Sequence, residues 1–354
     1  MAKRIVIMAG GTGGHVYPAL AVANMLRQQQ WQVSWIGTQK GLEARVVPEN
    51  QIDIDWLTVV GLRGKGLVAK IMAPFMLLKA CLQAMNILRK RRPDVVLGMG
   101  GFAAGPGGLM ARVLGMPLVI HEQNRIPGTT NRILAKFASR VLQAFPDSFA
   151  PKYKAVCTGN PLRSDIAKLV KHERTDLQSL NLLVVGGSLG AKILNEVVPE
   201  AVAMTGAITV KHQTGSAMHE QVRNNYEQLG IDAEVTAFIE DMSGAYQWAD
   251  IIVCRSGAMT ISEIAAAGLP SILIPFPFAI DDHQTANAQY LVEANAGILI
   301  KQEQLNAEIL SQKIKQLSED SMALDKMRVA ARNCAKLEAT KSVVDICCQE
   351  ASDE

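Results

Sequence analysis

Short, wholly apolar runs alternate along this chain with longer stretches in which apolar positions recur at helical spacing. Buried parallel strands joined by helices give that alternation. The run from Arg4 to Ala9 predicts a buried strand, Gln32 to Ile36 a second, and the stretch from about Pro18 to Gln29 the helix between them. Ile52-Asp53-Ile54-Asp55-Trp56-Leu57 alternates like a half-exposed strand. Asp94 to Leu97 and Pro117 to Ile120 are further apolar runs. Cys157-Thr158-Gly159-Asn160-Pro161 then reads as a hinge, since Gly-Asn and Asn-Pro are strong breakers. Beyond it the design repeats: Asn181 to Val185 leads into Gly186-Gly187-Ser188-Leu189-Gly190-Ala191 and a helix, with later strands at Ile251 to Val253 and Ser271 to Pro275. The tail after about Glu338 reads as one helix. The expected fold class is α/β, two doubly wound Rossmann-like domains facing a cleft, over residues 1–160 and 161–338, with a terminal helix in 339–354.

Gly10-Gly11-Thr12-Gly13-Gly14-His15 stands between the first strand and the first helix. A strand, a glycine turn and a helix aim backbone N–H groups and a positive helix end at a phosphate. The strict dinucleotide pattern fails: counted from Gly11, Gly13 fits but the sixth position is Val16. Nor does a ribose-binding acid follow the second strand, where Trp35-Ile36 runs into Gly37-Thr38. Both mismatches disfavour a nicotinamide oxidoreductase, and a dinucleotide loop has no need of the imidazole of His15. A second glycine turn spans Gly98 to Gly108. The strand at Pro117 to Ile120 delivers His121-Glu122-Gln123-Asn124 to its carboxyl end, where open parallel sheets hold ligands.

Cys254 to Glu263 reads in two ways. Ser256 or Thr260 caps a helix, with Glu263 in its first turn completing a capping box with Thr260. Alternatively, first-turn amides hold a diphosphate while Glu263 accepts ribose hydroxyls. Residue chemistry leaves both open. The polar run Asp281 to Ala288 suits sugar hydroxyls or a plain helix start.

With 49% hydrophobic and 19% charged residues, 354 residues suffice for two cores. A net charge of +3 and 5% aromatics argue against nucleic acid as a partner. The six cysteines show neither metal nor disulfide spacing, which suits a reducing compartment. Behind Met1-Ala2-Lys3-Arg4 the apolar run is too short for a signal peptide, and no stretch matches a membrane span. Residues 61–92 carry eight basic residues and no acid, with Leu67, Ile71, Phe75, Leu78, Leu82 and Met85 near helical spacing and a kink expected at Pro74. This pattern fits a helix on an anionic membrane surface, with Lys65, Lys70, Ile71, Phe75 and Lys79 as its contacts; a core-facing stripe with a solvated cationic face is the alternative. Asp53-Ile54-Asp55 mimics an Asp-x-Asp metal motif, but its alternation puts both carboxylates on the wet face of a strand, so no metal is expected.

Taken together and in order, the glycine loops, His121 to Asn124, Gly159-Asn160-Pro161-Leu162-Arg163, Ser256 to Pro270 and Asp282 to Ala288 resemble the MurG family of N-acetylglucosaminyltransferases over essentially the whole chain. The resemblance implies the glycosyltransferase-B fold, with the acceptor and membrane on the N-terminal domain, UDP-GlcNAc mainly on the C-terminal one, and the last helix packed back on the N-terminal domain. It implies inverting transfer of GlcNAc from UDP-GlcNAc to the C4 hydroxyl of MurNAc-(pentapeptide)-pyrophosphoryl-undecaprenol, lipid I, giving lipid II for peptidoglycan, with no cofactor. It places donor contacts at Thr12, Gly13, Gly14, Asn124, Arg163 and Ser188, with Ile239 at the uracil edge. It places Ala258, Met259, Thr260, Ile261, Ser262 and Glu263 on diphosphate and ribose, Glu263 taking the ribose hydroxyls, and Gln284 on the GlcNAc. Gly11, Gly100, Gly101, Gly105 and Gly107 form the acceptor diphosphate loops. Relatives often carry Tyr and Ser where this chain has Phe102 and Ala104, so only the glycines of that loop carry over. An alcohol nucleophile needs a general base; His15 is the first candidate and Glu122 the second, with His121 positioning it. The expected place is the cytoplasmic face of the inner membrane, as a peripheral protein, with cell-wall and division proteins as further partners. The rival readings are a UDP-GlcNAc 2-epimerase and a non-catalytic UDP-sugar-binding membrane subunit.

Overall fold

The structure, a computed structural model, describes residues 2–59, 67–169, 179–187, 190–206 and 208–352; the side chains of 67–71 and 280 lie outside that description. The chain divides into two compact units, Met1–Arg163 with Leu337–Glu354, and Ser164–Lys336.

In the first unit seven strands, β1 (Arg4–Met8), β2 (Gln32–Gly37), β3 (Asp53–Trp56), β4 (Val95–Gly98), β5 (Leu118–Glu122), β6 (Arg140–Gln143) and β7 (Val156–Cys157), form a parallel sheet in the order β3-β2-β1-β4-β5-β6-β7. In the second, β8 (Leu180–Val185), β9 (Ile208–Gln213), β10 (Ala233–Thr236), β11 (Ile251–Cys254), β12 (Ser271–Leu273) and β13 (Gly297–Leu299) form a six-stranded parallel sheet in the order β10-β9-β8-β11-β12-β13. Each order reverses once, between β1 and β4 and between β8 and β11. The expected doubly wound α/β class is therefore present in both units.

The continuous apolar runs follow from cover on both faces. On β1, Ile5 and Ile7 enter a core with Val16, Val22 and Leu26 of helix Gly13–Gln28, while Val6 and Met8 enter another with Leu88, Ala104 and Leu134. Each such side chain, fully withdrawn from water, contributes roughly 1.5–3 kcal/mol. The last helix, Ala339–Glu350, inserts Val343, Val344 and Cys347 into the first of these cores.

Several boundaries differ from the sequence reading. The first helix starts at Gly13, not near Pro18, and Pro18 lies inside it. His121 and Glu122 belong to β5 itself. Pro74, the position of the expected kink, lies inside helix Leu67–Arg91 as that expectation requires. Asp53 and Asp55 on β3 both pair with Arg91, at 3.0 and 2.7 Å, and only Asp53 is well exposed, so the two carboxylates are not equally on a wet face.

Candidate functional site

The reversals in strand order mark where ligands collect in open parallel sheets, beyond the carboxyl ends of the strands. In the first unit the loops after β1 and β4 meet there. Gly11 turns at φ +95°, Thr12 is extended, and His15 and Val16 donate their amides to the Thr12 carbonyl, so Gly13, Gly14 and His15 form the first helical turn. Thr12 makes no side-chain capping bond. Gly100, at φ +92°, lies against the His15 imidazole: a Cβ there would stand 3.0 Å from the ring. A Cβ on Gly101 would strike the backbone of Gly10. Gly105 and Gly107 fall within helix Ala104–Val113, and Gly107 is buried where a Cβ would strike the Met8 sulfur; that glycine serves packing.

Two buried carboxylates brace these loops. Glu43 accepts from the Gly11 amide (2.9 Å), the Thr38 amide (2.9 Å) and the Thr38 hydroxyl (2.7 Å). Sequence reasoning missed it; the signal available was an acid preceded by Gly37 and Gly41, where any side chain would strike it. Glu122 accepts from the Asn124 amide (2.9 Å), Asn124 Nδ2 (3.2 Å), the Gly128 amide (3.0 Å) and Asn131 Nδ2 (2.9 Å). Its oxygens are thereby committed to shaping the loop that presents Asn124. His15 is half-buried, and its Nδ1 lies 2.8 Å from Gln123 Oε1. His121 is fully buried behind Gln123, and burial above all lowers its pKa to about 4, against the Gly159 carbonyl and the Glu122 charge, which favour the proton. Arg163 ends the first unit, half-buried and without an ion-pair partner among the described residues.

In the second unit the corresponding reversal brings the loops after β8 and β11 together. A Cβ on Gly190, at φ +75°, would strike the Thr214 carbonyl, so the chain passes close over β9's end. Ser188 lies outside the described residues. Helix Ala258–Ala267 begins directly after Gly257, which is extended at φ −61° and ψ 146° and supplies no side-chain cap. The capping-box reading is thus corrected: Thr260 is the third helical residue and Glu263 lies in the second turn. Ser256 does not cap either, since Gly257 holds the cap position and no side chain makes a capping bond; its hydroxyl donates to the Gln284 carbonyl at 2.8 Å, tying this helix start to that of His283–Glu293. Ala258 is buried; Met259, Thr260 and Ser262 are half-buried at the helix start, and Ser262 donates to the Ala258 carbonyl at 3.0 Å. Ile261 faces the core, fully buried, and its amide donates to the Gly257 carbonyl. Glu263 is half-buried and accepts from the Tyr246 hydroxyl at 2.8 Å. Gln284 accepts the Phe276 amide on Oε1 at 2.9 Å. Ile239 is half-buried between β10 and helix Met242–Trp248. Arg255, next to the helix start, is spent on the carbonyls of Ile274 and Pro275 and on Gln302 Oε1, with its guanidinium 5.4 Å from the Phe276 ring centroid.

On helix Leu67–Arg91, Phe75 is 66% exposed, Leu77, Leu78 and Leu82 are exposed with it, and Lys79 stands among them. Lys65 lies outside the described residues, as do the side chains of Lys70 and Ile71. Helix Ala104–Val113 packs on this helix and exposes Leu109 and Val113; helix Thr129–Leu134 packs on that one and exposes Ile133. None of the three helices contains an acid, and Arg112 and Arg132 are exposed on the latter two. Among the described residues no helix is long and apolar enough to cross a membrane, and no three His, Cys, Asp or Glu side chains stand together as metal ligands.

Residues 5–143 match the glycosyltransferase family 28 N-terminal domain and residues 181–345 the family's C-terminal domain. A UDP-N-acetylglucosamine--N-acetylmuramyl-(pentapeptide) pyrophosphoryl-undecaprenol N-acetylglucosamine transferase of Methylococcus capsulatus is 58% identical over 99% of both chains. The enzyme of the same name from Shewanella violacea is 49% identical over 99% of this chain and 98% of its own. The crystal structure of Acinetobacter baumannii MurG superposes with a TM-score of 0.86 at 40% identity, covering 98% of this chain and 99% of that one. The chain belongs to glycosyltransferase family 28, and within it to the MurG family.

Proposed function

We propose that this enzyme moves GlcNAc from UDP-GlcNAc to the C4 hydroxyl of MurNAc in lipid I, giving lipid II for peptidoglycan, with the following residues in the following roles. The observation that carries the assignment is His15, held in a first helical turn at the strand-order reversal of the first sheet, with Gly100 against its ring and Nδ1 on Gln123. His15 takes the proton of the C4 hydroxyl as that oxygen bonds to the anomeric carbon. The bond from that carbon to the diphosphate breaks on the opposite face, and the configuration inverts. Glu122, saturated by four donors, shapes the loop carrying Asn124 in place of acting as the base.

Negative charge gathering on the departing UDP meets the start of helix Ala258–Ala267, whose positive end needs no reorganisation as charge develops. Ser188 and Arg163 add to it. Glu263 takes the ribose hydroxyls, Ile239 edges the uracil, and Gln284, with Oε1 held by Phe276, offers Nε2 to the GlcNAc. Thr12, Gly13, Gly14 and Asn124 complete the donor contacts, and Gly11, Gly100, Gly101 and Gly105 form the acceptor's diphosphate loops. The acceptor and the membrane belong to residues 1–160 and the donor chiefly to 161–338. The acid-free apolar surface of helices Leu67–Arg91, Ala104–Val113 and Thr129–Leu134 supports docking on the anionic cytoplasmic leaflet, where an undecaprenyl acceptor lies.

The test is purified protein with UDP-GlcNAc and a lipid I analogue. UDP and disaccharide are expected in equal amounts, with no UDP released when the acceptor is omitted, which separates transfer from epimerisation and from mere binding. His15→Ala is expected to lower kcat by roughly a hundredfold or more; near-normal turnover would remove His15 from the base role.

A further inference from the structure

A neutral imidazole carries its proton on one of two nitrogens, and which one is set by the partner of the other. Four groups of the first unit stand in line behind His15. Its Nδ1 lies 2.8 Å from Gln123 Oε1. Gln123 Nε2 lies 3.0 Å from His121 Nδ1 and 3.2 Å from the His121 carbonyl. His121 Nε2 lies 2.9 Å from the Gly159 carbonyl.

Two members of this line are carbonyl oxygens, which have no proton to give. The Gly159 carbonyl therefore places a proton on His121 Nε2. Burial keeps His121 neutral at physiological pH, with its pKa at about 4, so its Nδ1 offers a lone pair. That lone pair requires a donor, which the nitrogen end of the Gln123 amide supplies, and the same nitrogen also reaches the His121 carbonyl. The oxygen end is left facing His15, whose Nδ1 has to donate.

We infer that Gln123, oriented by His121, is a positioning residue that fixes His15 as the Nδ1–H tautomer and leaves Nε2 bare to accept the sugar hydroxyl's proton. This rests on His15 being the base. The line is rigid where rigidity counts: His121 and Gln123 are buried, Asn131 Nδ2 donates to the His121 carbonyl at 3.0 Å, and Asn160 Nδ2 donates to the Gln123 carbonyl at 3.1 Å. The arrangement is the reverse of the one free imidazole prefers in water, so it has a distinct spectroscopic signature.

The experiment labels the six histidines of the full chain with nitrogen-15 and records long-range proton–nitrogen correlations at mildly alkaline pH. His15, identified by its loss in His15→Ala, is expected to show a protonated Nδ1 and a pyridine-like Nε2. A protonated Nε2 in the wild-type protein overturns the inference. Gln123→Leu is expected to move His15 towards the Nε2–H form and to lower kcat about tenfold or more while KM for UDP-GlcNAc changes less than about twofold. A folded Gln123→Leu protein that keeps the Nδ1–H signature or the wild-type kcat also overturns it, and should that variant not fold, the wild-type spectrum decides. Failure of the wild-type protein to transfer GlcNAc would instead sink the proposed function and leave the tautomer result standing.

Discussion

Glu43 and Glu122 are both buried acids whose oxygens accept from neighbouring segments of the first unit, three donors in one case and four in the other. A carboxylate in that state organises backbone, and truncating it takes a charged acceptor from several donors at once. Burial also governs the histidines. His121 and His212 titrate at about 4 and about 3 because desolvation disfavours their charged forms, and His212 has Tyr226 on Nδ1 at 3.0 Å but no partner on Nε2 among the described residues. Unfolded, both bind protons near 6.5. The unfolded chain thus holds more protons than the folded one between the two values, and stability falls as pH falls below about 6.5. The urea midpoint is expected to decline through that window, and His212→Gln to make the decline shallower by about one proton. A midpoint that stays level from pH 6.5 to about 4 would contradict this.

The repeated strand, glycine turn and helix were legible in sequence because each strand is apolar throughout and each turn is marked by glycines that nothing else explains. Helix starts were not. Sequence rules put proline at the first helical position and Ser or Thr at the cap, yet the helices begin at Gly13 and Ala258, behind Thr12 and Gly257, neither of which makes a side-chain capping bond. The turns end at the sheet's edge, and each helix begins as soon as its turn does end. A start left uncapped by its own side chains is the kind that can serve an anion. Gln123 went unassigned for a different reason: its meaning lies in His15, 108 residues away, and no local pattern encodes that. Displacing Glu263 to the second turn leaves its carboxylate held by Tyr246. Glu263→Gln is expected to raise KM for UDP-GlcNAc roughly tenfold, the loss of a charge-assisted hydrogen bond, with kcat little changed. An unaltered KM would remove Glu263 from the ribose.

At the scale of the molecule, three neighbouring helices of the first unit, Leu67–Arg91, Ala104–Val113 and Thr129–Leu134, carry no acid and expose Phe75, Leu78, Val113 and Ile133. The stretch at 61–92 advertised this in sequence, but its continuation over Val113 and Ile133 did not, because those residues are brought together only by packing of helices. Phe75→Ser with Lys79→Glu is expected to weaken binding to vesicles of anionic phospholipid at least about fivefold, and to leave turnover of a short-chain soluble acceptor unchanged. Undiminished vesicle binding would rule out this face.

The closing helix has a bearing on how the protein is made. Val343, Val344 and Cys347 fill a core whose other members lie in the first 150 residues. During synthesis that opening segment emerges from the ribosome long before the helix it lacks, and the intervening unit, Ser164–Lys336, has all its strands in hand first. The earliest part translated is the last to be completed, and a premature stop codon near the end would damage the beginning.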